Sequence, residues 1–203
     1  MARAFYGLAW EHFQTPWSPL KATHLSAFAR MLEALNLKGA ERVLDVGTGT
    51  GYRAALLGSL ASQVCSVEVS EAVATSARQR LRQAGCNNVQ VVTADGSLGW
   101  APGAPYDAIL VGCACSYVPN QLIHQLAEGG RLVLALGDAG GQLIIRLCRH
   151  GLAVESTTVA SCALEALECQ EGEPPSSVPW QRLPTLGAHP LQPTSAVGAR
   201  SSR

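Results

Sequence analysis

Between Glu41 and about Leu136 the chain alternates between two spacings of apolar residues. The runs RVLDV, VCSVEV, VQVVTADG, YDAILVG and RLVLALG are short and nearly continuous in apolar residues, as buried strands are. Between them, RAALLGSLAS, EAVATSARQRLRQAG and PNQLIHQLAEGG carry helical spacing. The second of these closes on a glycine of C-cap type, and the third has proline near its start and glycines after its end. Strands and helices in strict alternation predict a parallel sheet covered on both faces. After Gly137 the pattern changes, and QLIIRLC and LAVESTTVA read as antiparallel strands joined by a short RHG turn. Upstream, HLSAFARMLEALNL predicts an amphipathic helix packed on the sheet. The expected fold is therefore α/β, Rossmann-like, with a mostly parallel doubly wound sheet and antiparallel C-terminal strands, occupying residues 1–168. From Cys169 the chain turns to Pro, Ser and Gly with few apolar anchors. Such a segment buries too little surface to offset its ordering entropy, so 169–203 is expected to be a disordered tail.

Composition narrows the function classes. With 203 residues, 47% of them hydrophobic and 15% charged, the chain suits one well-buried domain. Fifteen basic residues balance fifteen acidic ones, which leaves no net field to attract nucleic acid or an anionic membrane. No apolar run reaches membrane-spanning length, and MARAFYGLAWEHF lacks the pattern of an export leader, so a cytoplasmic protein is expected. The seven cysteines, Cys65, Cys86, Cys113, Cys115, Cys148, Cys162 and Cys169, are odd in number and scattered. They form neither a disulfide framework nor a metal set, and they read as small buried thiols.

The chemistry gathers where strands end. In an open parallel sheet the ligand crevice lies outside the carboxyl ends of the strands, near the point where strand order reverses. Gly47, Gly49 and Gly51 follow the first strand in VLDVGTGTGYRAALLG, Glu68 ends the second, Asp95 and Gly96 follow the third, and Gly112 with Cys113 follows the fourth. A carboxylate about twenty residues beyond a glycine loop commonly accepts hydrogen bonds from ribose hydroxyls, which suits NAD and S-adenosylmethionine alike. The third glycine separates the two. A dinucleotide fingerprint, G-x-G-x-x-G, would place it at position 52, which is Tyr52, whereas here it is Gly51.

Taken together, VLDVGTGTGYRAALL, VCSVE, ADGSLGW, APYDAILVG and VP..L..QL..GGRLVLALG resemble the protein-L-isoaspartate O-methyltransferases, over about His24 to Ala160. The resemblance implies a class I methyltransferase fold and S-adenosylmethionine as methyl donor. It implies that Asp45, Gly47 and Gly49 surround the methionine part of the cofactor, with Thr48 and Gly51 in the same loop. It further implies that Glu68 holds the ribose, with Val69 beside it, and that Asp95 and Gly96 hold the adenine, with Gly112 also lining the site. The implied substrate is an isoaspartyl residue in a damaged protein, methylated on its α-carboxylate to an ester that collapses to a succinimide. In the family a serine of a Thr-Ile-Ser-x-Pro segment steers that carboxylate, and counting back from FARMLEALNL places Thr23 there.

The chain also departs from the family pattern. Lys21, Ala22 and Leu25 stand where Thr, Ile and Pro would be, 22 residues precede Thr23 where the family has a longer lead-in, and Ala163-Leu164-Glu165-Ala166-Leu167 replaces an Arg-Phe-Val-Pro-Leu strand. Thr23 reads either as the steering hydroxyl or as a helix N-cap. Two alternatives to isoaspartyl repair thus remain, a methyltransferase for another carboxylate or small nucleophile, and a cofactor-binding protein without turnover.

Overall fold

The computed structural model describes residues 22–138, 141–164, 178–179 and 188–190. It opens on helix α1, Ala22–Leu35. Ala27, Met31, Ala34 and Leu35 fall at the i, i+4, i+7, i+8 spacing of one helical stripe, and all four are buried. Burying a side chain the size of Leu35 or Met31 contributes about 1.5–3 kcal/mol. The chain then runs through β1 (Arg42–Val46), α2 (Tyr52–Leu60), β2 (Gln63–Glu68), α3 (Glu71–Gln83), β3 (Val89–Thr93) and two single turns of 3-10 helix, Gly96–Leu98 and Ala101–Gly103. There follow β4 (Tyr106–Cys115), β5 (Tyr117–Val118), α4 (Asn120–His124), β6 (Leu126–Asp138), β7 (Gly141–His150) and β8 (Ala153–Cys162). Two short strands complete it, β9 (Val178–Pro179) and β10 (Ala188–Pro190).

Eight strands form the main sheet in the order β3-β2-β1-β4-β6-β7-β8-β10. The first five in that order pair in parallel, and β6, β7, β8 and β10 pair antiparallel. This is the α/β, Rossmann-like arrangement expected, with the antiparallel strands at the C-terminal edge. Strand order reverses between β1 and β4, which opens the crevice at their carboxyl ends.

The two faces of the sheet are covered unequally. Val43, Val64, Ala108, Leu110, Val133 and Ile144 pack against Ala27, Met31 and Leu35 of α1 and Leu57 of α2. The opposite face, with Leu44, Val46, Val67, Ile109, Val111 and Leu134, is closed by Leu122 and Ile123 of α4 and by Trp100.

One expected element is corrected. PNQLIHQLAEGG, read as a helix that ends before Gly129, is helical only over Asn120–His124, and strand β6 begins at Leu126. Gln125 explains the early stop. Its buried side chain accepts a hydrogen bond from Trp100 N at 2.8 Å and donates one to Leu98 O at 2.8 Å. Gln125 O in turn accepts from Tyr106 N, at 2.8 Å, which draws the chain into register with β4. Gly129, at φ +70°, then holds a backbone state that a right-handed helix excludes. Helical spacing thus lost to tertiary pairing here.

Most of the segment 169–203 lies outside the described residues. Two pieces of it are described, β9 paired antiparallel with β5, and β10 paired antiparallel with β8. All described cysteines are free thiols, with Cys65 and Cys115 buried.

Because Gln125 bridges both sides of the 98–100 segment, Gln125→Ala should strand a partly buried N–H and a partly buried carbonyl. A loss of about 1–3 kcal/mol of stability is expected in urea denaturation of the full chain. A variant within 0.5 kcal/mol, as an ordinary surface change would be, contradicts that role.

Candidate cofactor crevice and its relatives

The glycine loop leaves the carboxyl end of β1 with Gly47, Gly49 and Gly51 at φ +86°, +53° and +89°. These are left-handed backbone states in which a Cβ is strained, so the loop needs residues without one. It is tied down on β2, with Gly47 N and Thr48 N donating to Val67 O at 2.8 and 3.1 Å. Its tip is held by a side chain: Gly49 N donates to Glu68 Oε2 at 2.9 Å. Glu68 Oε1 accepts from Ser70 N at 3.1 Å. A carboxylate offers about four lone-pair sites, so these two bonds leave Glu68, which is half-buried at the rim, with capacity for hydroxyl donors.

Asp95 and Gly96 follow β3. Asp95 Oδ1 accepts from Ser97 N at 2.9 Å and from Ser97 Oγ at 2.8 Å, which forms the turn that starts the first 3-10 helix. Gly96 is buried, and a Cβ there would stand 2.5 Å from Val46 Cγ1. The ends of β1, β2 and β3 therefore present the loop, Glu68 and Asp95 side by side. Val69 is half-buried directly after Glu68.

Asp45 sits deeper than a ligand-facing residue would. It is 0% exposed, and both its oxygens are occupied within the protein. Oδ1 accepts from Arg53 Nε at 2.6 Å, and Oδ2 from Ser66 Oγ at 2.7 Å. Ser66 Oγ also lies 2.6 Å from Thr48 Oγ1, which carries the network up into the loop. Arg53, the second residue of α2, turns back beneath the loop, where Nη2 donates to Val46 O, at 3.1 Å, and to Gly47 O. Its Nη1 reaches Gly112 O at 3.5 Å, on β4. Burial opposes the charge on Arg53, but Asp45 in contact outweighs it and holds the guanidinium above its ordinary pKa. Asp45 thus supports the loop from below.

Gly112 has a related reason. A Cβ there would lie 1.7 Å from Arg53 Nη1 and 1.9 Å from Cζ, so the glycine makes room for the guanidinium. Cys113 lies on the other side of the crevice, its Sγ 3.2 Å from where a Cβ on Gly47 would be. Thr23 is the second residue of α1, and its side chain is outside the described ones, as are all atoms of Lys21. Leu164 is held by Gln142, whose Oε1 accepts from Leu164 N at 2.6 Å; residues 165–167 are outside the described residues.

Arg53 and Ser66 did not stand out in the sequence. The available signal was Asp45 itself, since a carboxylate inside an apolar strand needs a nearby cation or donor, and Arg53 opens an otherwise apolar helix eight residues on.

A mostly parallel sheet with a glycine loop at its switch point, one rim carboxylate after β2 and an Asp-Gly turn after β3 defines a class I methyltransferase scaffold. The chain belongs to the protein-L-isoaspartate(D-aspartate) O-methyltransferase family, whose model matches residues 18–168. A protein-L-isoaspartate O-methyltransferase of Koribacter versatilis is 43% identical over 148 residues, covering 73% of this chain and 67% of its own. A solved protein-L-isoaspartate O-methyltransferase superposes with a TM-score of 0.66 at 27% identity, over 71% of this chain and 47% of that one. A structure from Plasmodium falciparum, described as a protein-L-isoaspartate O-methyltransferase homologue with S-adenosyl-L-homocysteine, shares the fold. It has a TM-score of 0.58 at 17% identity, over 80% of this chain and 85% of that one. Across the curated relatives it matches, the chain spans between about half and two thirds of their length.

The close approach at Gly112 can be tested by coupling. Gly112→Ala should cost about 1–3 kcal/mol of stability by overpacking. The same change should cost clearly less on an Asp45→Asn/Arg53→Met background, where the forked head is gone. Equal costs in both backgrounds contradict the packing described.

Proposed function

We propose that this protein is an S-adenosylmethionine-dependent carboxyl methyltransferase that acts on isoaspartyl residues of damaged peptides and proteins. The observation that carries the reading is the bond from Gly49 N to the rim carboxylate of Glu68, at 2.9 Å, in a loop whose third glycine is Gly51. That pairing supplies a loop without the glycine spacing of a pyrophosphate turn and an anionic acceptor suited to ribose hydroxyls. In this reading Asp95 and Gly96 border the adenine, and Gly47, Thr48 and Gly112 the methionine end. The cofactor supplies an electrophilic methyl group on a sulfonium.

The reaction needs little acid–base assistance from the protein. A substrate carboxylate has a reference pKa of about 4 and is ionised at neutral pH. Bound in the crevice, the cofactor would supply the methyl group and the substrate carboxylate would accept it, a C–O bond replacing the C–S bond and the electron pair remaining on sulfur. The contribution of the chain is alignment, with reacting atoms held in line and water kept out. In this reading Thr23, at the start of α1, donates its hydroxyl hydrogen bond to the substrate carboxylate. In this reading the protein works on peptide substrates as a cytoplasmic monomer without nucleic-acid partners, and balanced charge supports the last of these. Among the described residues no helix is long and apolar enough to cross a membrane.

A second substrate class keeps a foothold in one observation. SPLKATHLSAF and the 163–167 segment depart from the family pattern while the glycine loop keeps it. Changes confined to the substrate side suit a scaffold that has moved to another carboxylate.

The deciding experiment is methyl ester formation on an isoaspartyl peptide beside its normal aspartyl twin. Ester on the isoaspartyl peptide alone is expected, and turnover of neither peptide would overturn the named substrate. Thr23→Val, which keeps the shape and removes the donor, should lower turnover by about tenfold to a hundredfold with cofactor affinity nearly unchanged. An unchanged rate per folded molecule would show that the hydroxyl does not touch the substrate. Glu68→Ala should weaken cofactor binding by about 1–3 kcal/mol in calorimetry, and unchanged affinity would remove Glu68 from the ribose site.

A further inference from the structure

Arg53 is an unusual neighbour for a cationic cofactor. Its guanidinium lies directly beneath the glycine loop, bonded to the carbonyls of Val46 and Gly47 on one side of the switch point and Gly112 on the other. The side chain is 17% exposed, so its charge is only partly screened by water. Taken alone, that charge would repel a sulfonium. It is not alone, because Asp45 lies 2.6 Å away with no exposure at all. The two form one ion pair with no net formal charge.

We infer that Arg53 is a charge-balancing, positioning residue that sets how this protein discriminates the methylated cofactor from its demethylated product. The inference rests on the cofactor assignment proposed above. S-adenosylmethionine and S-adenosylhomocysteine differ by one methyl group and one formal positive charge, on sulfur. A site that held the Asp45 carboxylate without Arg53 would therefore favour the charged form selectively. Methyl transfer from a sulfonium to a carboxylate destroys charge, so such a site would stabilise the reactants more than the transition state. Neutralising Asp45 from below removes that penalty while leaving the loop anchored.

The arrangement makes predictions of opposite sign. Arg53→Gln leaves the Asp45 charge unbalanced and should raise the preference for S-adenosylmethionine over S-adenosylhomocysteine by about threefold to tenfold. Asp45→Asn leaves the Arg53 charge unbalanced and should lower the same ratio by a similar factor. The double variant Asp45→Asn/Arg53→Gln is neutral again and should return the ratio to within about twofold of the wild type. The measurement is calorimetric affinity of the full chain for each compound, which needs no turnover. Opposite shifts with recovery in the double variant support the inference. Loss of affinity for both compounds in equal proportion, or ratio shifts of the same sign, overturns it and leaves Arg53 as packing only. Should one single variant fail to fold, the sign of the shift in the other decides. Wild-type protein that binds neither compound would refute the cofactor assignment instead, so the two failures are told apart.

Discussion

A single buried carboxylate organises this molecule. Asp45 stands in the middle strand of a parallel sheet, fully covered, where an isolated charge would be prohibitively unfavourable. Its presence calls for Arg53 on one oxygen and Ser66 on the other, in strand and helix positions that are otherwise apolar. Arg53 in turn requires glycine at 112, since any side chain there would overlap its guanidinium. Ser66 passes the network on to Thr48, and so to the glycine loop. Removing one member of a buried pair leaves the other uncompensated, which is typically costlier than the pair is stabilising. The cluster is therefore best understood as a device that fixes the loop and the two strand ends in one geometry.

That geometry is what the crevice uses. Strand order reverses between β1 and β4, so the helices that follow them diverge and leave the strand ends open. Arg53 ties both ends together under the opening, Glu68 holds the tip of the loop from β2, and the Asp95 turn closes the far side. The face of the sheet away from α1 carries a lighter cover, one short helix and two 3-10 turns pinned by Gln125 and by Tyr106 Oη, which donates to Trp100 O at 2.7 Å. The chain spans about half to two thirds of the length of the curated relatives it matches.

Much of this was legible in the residues. RVLDV coincides with β1, and VCSVEV and YDAILVG lie within a residue or a few of β2 and β4, because continuous apolar runs bounded by turns have few other solutions. The hairpin of β7 and β8 turns at the expected RHG, with Gly151 at φ +61°. PNQLIHQLAEGG misled because helical spacing is a local signal, whereas Gln125 and Leu126 answer to Trp100 and Tyr106, far away in sequence. The rim residues Glu68, Asp95 and Gly96 were legible from their offsets after apolar strands. Arg53 was not, since whether an arginine at a helix start faces solvent or a buried carboxylate depends on the side-chain packing that only the folded chain displays.

In the proposed function the crevice takes an adenosine bearing an amino-acid tail rather than a pyrophosphate. Calorimetric titration of the full chain with S-adenosylhomocysteine and, separately, with NAD tests it most directly. Binding of S-adenosylhomocysteine with no measurable binding of NAD is the result expected. NAD binding of comparable strength, displaced by S-adenosylhomocysteine, would contradict the account.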